Sequence, residues 1–241
     1  MGRWVALLYG LLAYLAFLAA SLYLIGFLGN FFVPKSIDSG APAAPPVALA
    51  VNLGLLALFA LQHSVMARPA FKRAWTRLIP EPIERSSYVL ASSLCLALLI
   101  WQWRPMPRVV WSVSGAAALT LSALFWLGWL IQLASTFLVS HFDLFGLRQV
   151  SAYLRGRASP PIAFVTPLFY RLVRHPLYVG FLLAFWAAPV MTVGRLVFAL
   201  ATTIYILIAV RIEERDLVDA FGETYRRYQR TTPMLLPFAK R

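Results

Sequence analysis

Long stretches of the 241-residue chain carry no Asp, Glu, Lys or Arg. They cover residues 4–34, 39–67, 86–103, 109–142, 175–194 and 196–210, separated by short charged islands. A hydrocarbon core about 30 Å thick is crossed by about 20 helical residues at about 1.5 Å each. The first, second and fourth runs exceed that requirement, and the third and fifth sit near its minimum. The sixth spans only if Arg195 and Arg211 snorkel toward the interfaces. The pattern predicts an all-α polytopic membrane protein with five to six hydrophobic helical segments. The first run reads as a retained helix, because its 31 uncharged residues outlast the roughly 7–15 of a secretory leader's apolar region.

Between the fifth and sixth runs lies Ala188-Pro189-Val190-Met191-Thr192-Val193-Gly194. Pro and Gly punctuate the helical pattern there, with Arg195 in the turn. The last two segments are therefore expected to form a hairpin with both ends on one membrane face. Six crossings put the N-terminus, residues 68–85, 143–174 and 211–241 on a common side. That side carries 18 of the 22 Lys and Arg, leaving Lys35, Arg104, Arg108 and Arg195 on the other. By the positive-inside rule both termini are expected in the cytoplasm. Trp101, Trp103 and Trp111 flank the Arg104–Arg108 loop as an interfacial aromatic belt would. Residues 34–46 read as a plain outer loop, whereas residues 142–174, interrupted by Pro160-Pro161 and Pro167, are long enough for a lid or substrate wall.

Composition narrows the class further. A hydrophobic share of 61% with only 13% charged residues excludes a soluble enzyme, a disordered chain and a disulfide scaffold. The net charge of +13 falls in islands between apolar runs, which is no nucleic-acid surface, so the expected partners are the lipid bilayer and a small molecule. The lone Cys95 reads as a small hydrophobe. The chain is expected to be one integral membrane domain over 1–241. Residues 1–137 would supply N-terminal transmembrane helices, and 138–241 the cofactor-binding loop, hairpin and tail.

Eight of the nine acidic residues, all but Asp38, fall on the inferred cytoplasmic side, as do His63, His141 and His175. In Arg174-His175-Pro176-Leu177-Tyr178-Val179-Gly180, Pro176 suits a first helical position, so a helix should begin there. Its free N–H groups and the Arg174 guanidinium suit a carboxylate. About thirty residues on, Arg211-Ile212-Glu213-Glu214-Arg215-Asp216-Leu217 returns to the same face. Adjacent acids at a helix end suit an ammonium or sulfonium, and Tyr178 and Tyr225 offer aromatic faces. Together these groups match S-adenosylmethionine. An Arg–Glu network that merely staples the hairpin satisfies the same pattern. In residues 214–228, Leu217, Val218, Phe221, Tyr225 and Tyr228 recur at helical spacing, as in a cytoplasmic amphipathic helix. Gln62-His63-Ser64, Gln132, and the pair His141 and Asp143 are intramembrane or interfacial polar groups, each either functional or a satisfied structural pair. No metal-ligand spacing is present, and no G-x-G-x-x-G follows a strand.

The C-terminal residues resemble a known family. Arg174-His175-Pro176-x-Tyr178-x-Gly180, Glu213-Glu214-x-x-Leu217-x-x-x-Phe221-Gly222-x-x-Tyr225-x-x-Tyr228, then Pro233 and Pro237, look like the signature of isoprenylcysteine carboxyl methyltransferase and its membrane relatives. Upstream, Gln62-His63-Ser64-x-Met66-Ala67-Arg68, Phe71-Lys72, Trp75-Thr76 and Glu84-Arg85-Ser86-x-Tyr88 are similar to the bacterial methanethiol S-methyltransferase family, NnrU-type proteins and nurim. Phe185-Trp186-Ala187-x-Pro189-x-Met191-Thr192 points the same way. The resemblance implies a bacterial-type inner-membrane enzyme methylating a small thiol with S-adenosylmethionine, methanethiol to dimethyl sulfide, and releasing S-adenosylhomocysteine. By that resemblance Arg174, His175, Tyr178, Gly180 and one or both of Glu213 and Glu214 become cofactor contacts, and the residue pattern adds Pro176 and Tyr225 to the expected cofactor site. Because thiolate rather than thiol is the nucleophile, a cation or base is needed, and His63, Arg211, His141 and Glu214 are the candidates. Methyl transfer to a lipid amine or a prenylcysteine carboxylate, or an NnrU- or nurim-like membrane protein without this activity, are the alternatives.

Overall fold

The computed structural model describes residues 1–158 and 164–237, so the expected Pro160-Pro161 interruption lies outside the described residues. In chain order the elements are α1 (Arg3–Gly29), α2 (Pro45–Ala67), α3 (Pro69–Trp75), α4 (Glu84–Gln102), β1 (Val109–Ser112), α5 (Gly115–Val139), α6 (His141–Leu144) and α7 (Leu147–Leu154). They continue with α8 (Phe169–Leu172), α9 (Pro176–Trp186), β2 (Val190–Thr192), α10 (Val193–Phe221) and α11 (Glu223–Thr231). Five helical stretches are long and apolar enough to cross a membrane: Arg3–Gly29, Pro45–Ala67, Glu81–Gln102, Gly115–Val139 and Val193–Phe221. Their outer faces stay apolar, with Leu12 and Leu22 on α1, Leu119 and Leu130 on α5 and Ile204 on α10 exposed, as lipid solvation requires. This is a multi-pass helical membrane protein.

Proline sets several of the helix starts. Pro45 opens α2, Pro69 opens α3 after an extended Arg68, and Pro176 opens α9 after His175 at φ −127°. Asn30 ends α1 in the left-handed region at φ 58°, its N–H closing on the Gly26 carbonyl. Gly222, at φ 57°, breaks the tail that periodicity reads as one helix over residues 214–228. The chain continues as α10 to Phe221 and restarts as α11 at Glu223.

Two compact units form. The first holds α1–α4 with α6 and α7. There α4 packs on α1 and α2, and α7 lies along α1. Ala6, Ile83 and Val150 form a small core, and Gly10 admits Val150 at a distance that a Cβ would reduce to 2.7 Å. The outer loop is less plain than its composition suggests. Ile37 is fully buried and its carbonyl accepts from Trp103 Nε1 at 3.1 Å, so Trp103 is core rather than belt. Asn52, also fully buried, holds the end of α4. Its amide donates to the Arg104 carbonyl at 2.8 Å and its carbonyl accepts from the Arg104 N–H at 2.9 Å.

The second unit holds β1, α5, α8–α11 and β2. Gly128 and Gly180 let α5 and α9 meet backbone to backbone: a Cβ on Gly180 would stand 2.6 Å from the Gly128 carbonyl oxygen and the Gln132 nitrogen. At 11 residues, α9 covers only about 16 Å. Residues 187–192 continue from it in non-helical form, adding up to about 20 Å. That matches the roughly 30 Å of α10 up to Glu214. The extended backbone is satisfied by antiparallel pairing of β2 with β1 and by Trp111 Nε1 donating to the Ala188 carbonyl at 3.2 Å. Trp186 Nε1 donates to Thr203 Oγ1 at 3.0 Å, tying α9 to α10. The hairpin is therefore a half-helix with an extended finish, returned by one long helix.

Candidate functional site

Where α9 begins and α10 ends, the second unit concentrates its ionic groups. Arg174 Nε donates to Glu214 Oε1 at 2.6 Å, and His175 Nε2 lies 3.0 Å from the same oxygen. Gln229 Nε2 donates to Glu214 Oε2 at 3.0 Å, so both carboxylate oxygens are occupied. Arg174 also donates from Nη1 to the carbonyls of Gln229, at 3.1 Å, and of Thr232. Main-chain bonds seal the arrangement: Arg174 N–H to the Pro233 carbonyl at 2.9 Å and His175 N–H to that of Met234 at 3.2 Å. The tail is thereby laid across the start of α9.

Around this knot sits a layer of phenols. Tyr178 donates to Glu213 Oε2 at 3.0 Å. Tyr228 donates to the Tyr170 carbonyl, and Tyr170 donates to the Ser135 carbonyl at 3.4 Å. Tyr225 is buried with its ring edge-on to both Phe164 and Tyr228. Burial drives the Tyr228 hydroxyl up to about 12, with the Arg174 charge opposing and Glu214 adding to it. Burial likewise raises Tyr170 above the ordinary phenol range. These phenols are donors at any working pH.

An open cleft of about 320 Å³ borders the knot, lined by Arg211, Glu214, Arg215, Val218, Asp219 and Gln229. Arg211 and Glu214, two of the thiol-activation candidates, thus share one wall. Of the expected cofactor contacts, Arg174, His175, Tyr178, Glu213 and Glu214 are joined by hydrogen bonds. Tyr225 lies in the phenol layer, Pro176 sets the start of α9, and Gly180 is buried against α5. The stapling network read as the alternative is physically present in the same atoms.

The other two candidates belong to the first unit. His63 Nε2 lies 2.8 Å from the Tyr88 hydroxyl, Nδ1 lies 3.1 Å from Ser92 Oγ, and the ring stacks on Phe59. His141 Nε2 meets the Tyr14 hydroxyl at 2.8 Å within a ring of Phe142 and Phe145. Burial lowers the His141 proton affinity. Asp143 accepts from Gln149 at 2.8 Å. No group of His, Cys, Asp and Glu suited to a metal occurs among the described residues. Sequence reasoning missed Gln229, Tyr170 and Gly128. Gln229 follows Tyr228 of the tail motif, and only α11's phase could have marked it.

Fold and site together define a polytopic helical membrane protein with an ionic knot at one end of its terminal hairpin. The chain belongs to the NnrU family, whose model matches residues 52–237. It is 57% identical to methanethiol S-methyltransferase 2 of Bradyrhizobium diazoefficiens, over 99% of this chain and 93% of that one. It is 54% identical to methanethiol S-methyltransferase of Crocosphaera subtropica, over 99% of this chain and 94% of that one. Nurim of Sus scrofa is 34% identical over 71% of this chain and 68% of its own. No solved structure matches it.

Proposed function

We propose that this protein is an S-adenosylmethionine-dependent methyltransferase that converts methanethiol to dimethyl sulfide. The observation that carries the reading is identity above 50%, end to end, with proteins named for that reaction. The donor set fits such a methyl donor. Asp219, with the Glu214 charge behind it, suits an ammonium or a sulfonium, Arg211 and Arg215 suit a carboxylate, and Val218 adds an apolar patch to the cleft. When bound, the donor supplies a methyl group on a sulfonium: the thiol sulfur forms the new S–C bond as the old one breaks, S-adenosylhomocysteine leaves, and the thiol proton passes to a base or solvent.

The chain's own part is binding, orientation and charge. Arg174, His175 and Gln229 fix the Glu214 carboxylate, and Tyr178 fixes Glu213. Holding two reactants aligned where water is excluded is a large share of such a rate. Arg211 is favoured for thiol activation by its place on the cleft, where a fixed cation stabilises thiolate. Glu214 has both oxygens committed, which suits it to positioning better than to proton transfer. His63 and His141 stand as the alternative bases. A base earns about 10²–10⁴-fold in rate, so its alanine variant would lower kcat and flatten the alkaline rise of the pH–rate profile while leaving cofactor affinity intact.

The 18 of 22 basic residues on one side support an inner-membrane protein with both termini in the cytoplasm. The charged methyl donor then arrives from the cytoplasm and the apolar, volatile thiol through the lipid. The deciding experiment is headspace gas analysis of cells expressing the chain and supplied with methanethiol. Dimethyl sulfide should rise well above that of cells lacking it, and an unchanged level rejects the acceptor. Intact binding of S-adenosylhomocysteine without dimethyl sulfide would redirect the search to a lipid amine or a prenylcysteine carboxylate. Loss of both would leave a membrane protein whose knot only staples the hairpin.

A further inference from the structure

We propose that the Tyr225 hydroxyl is a ligand contact, donating its hydrogen bond to an acceptor atom of the methyl donor. The inference rests on the methyl-transfer reading and adds to it a polar contact that the aromatic face of Tyr225 does not imply.

Four phenols surround the ionic knot, and three have an acceptor: Tyr178 on Glu213, Tyr228 on the Tyr170 carbonyl, Tyr170 on the Ser135 carbonyl. Tyr225 is the exception. Its side chain is 1% exposed and its buried hydroxyl has no hydrogen-bond partner among the described residues. Leaving a buried hydroxyl unmade costs about 1–3 kcal/mol. A phenylalanine would keep the ring contacts with Phe164 and Tyr228 and avoid that cost. Packing alone therefore explains the ring and leaves the oxygen unexplained.

The surroundings say what the oxygen is for. Burial first, and then the Glu214 charge, raise the hydroxyl above the ordinary tyrosine range, with Arg174 opposing. The group is thus a donor at neutral pH and calls for an acceptor. Arg174, the nearby cation, is already spent on Glu214 and on two carbonyls of the tail. An adenosylated amino acid brings carboxylate, ribose and adenine acceptors, any of which the phenol can meet. Among the described residues none pairs with it, and the ligand supplies the acceptor.

The test compares wild type, Tyr225→Phe and Tyr228→Phe as full-length protein in detergent, by thermal unfolding without ligand and by calorimetric titration with S-adenosylhomocysteine. Tyr225→Phe should melt at the wild-type temperature or above it and bind S-adenosylhomocysteine about 5–20-fold more weakly. Tyr228→Phe, which loses a made bond, should melt lower, so the two changes separate structure from binding. Unchanged affinity in Tyr225→Phe would overturn the inference while leaving the methyl-transfer reading intact. A lower melting temperature in that variant would overturn it too, by revealing a partner within the protein. Absence of binding to wild type would instead bring down the methyl-transfer reading, and this inference with it.

Discussion

Inside the first unit, polar side chains pair in small separate sets: Asn52 with the Arg104 main chain, His63 with Tyr88, Tyr14 with His141, Tyr9 with Ser87. In the second unit, ionic groups gather at one end, and a single carboxylate serves Arg174, His175 and Gln229 at once. The first arrangement is a set of separable pins. Each satisfies buried groups and fixes one helix contact, for about 1 kcal/mol net. The second is cooperative, because removing one member strands the rest. Scaffolds need pins. A site that must hold a charged ligand needs a group whose geometry is over-determined.

The contrast predicts a graded series of losses. Glu214→Ala should be the most damaging: it leaves the Arg174 cation without its carboxylate, lowers stability by about 3 kcal/mol and abolishes S-adenosylhomocysteine binding. Denaturant unfolding and calorimetry read the two effects. Gly180→Ala should come next, at about 2 kcal/mol, because its new Cβ meets backbone atoms of α5 that have no rotamer to escape through. The thermal midpoint reads this change. In the first unit, Asn52→Leu should cost about 1 kcal/mol by orphaning the Arg104 N–H and carbonyl, and leave S-adenosylhomocysteine affinity at the wild-type value. A large fall in affinity would mean the pins and the knot are not separable. The smallest effect belongs to Arg230→Ala, whose partner Glu223 is solvent-exposed, and no change in melting temperature is expected.

Much of this was legible from charge spacing. The five long spans follow the uncharged runs because lipid tolerates few charges, and Pro176 marks the start of α9 because its ring fits only a first turn. The meeting of Arg174 with Glu214 was readable as well, since both bound the same hairpin. Hydropathy could not show that α9 stops at Trp186, because residues 187–192 are equally apolar in helix or strand. The β1–β2 pairing that satisfies their backbone joins segments some eighty residues apart. Trp103 looked interfacial by position, yet Ile37 offers it an acceptor from the outer loop. The tail's periodicity passed over Gly222, whose positive φ splits it. The Gly128–Gly180 contact, and a Tyr225 hydroxyl that finds no partner among the described residues, depend on distant parts of the chain, and no single stretch of sequence carries them.

The central claim is that the Arg174–His175–Glu214 knot seats a methyl donor as well as stapling the hairpin. His175→Ala tests it most directly, measured by titration with S-adenosylhomocysteine on protein that elutes as wild type in size-exclusion chromatography. The account predicts stoichiometric binding to wild type and none to the variant. Equal affinity in the two proteins would contradict it.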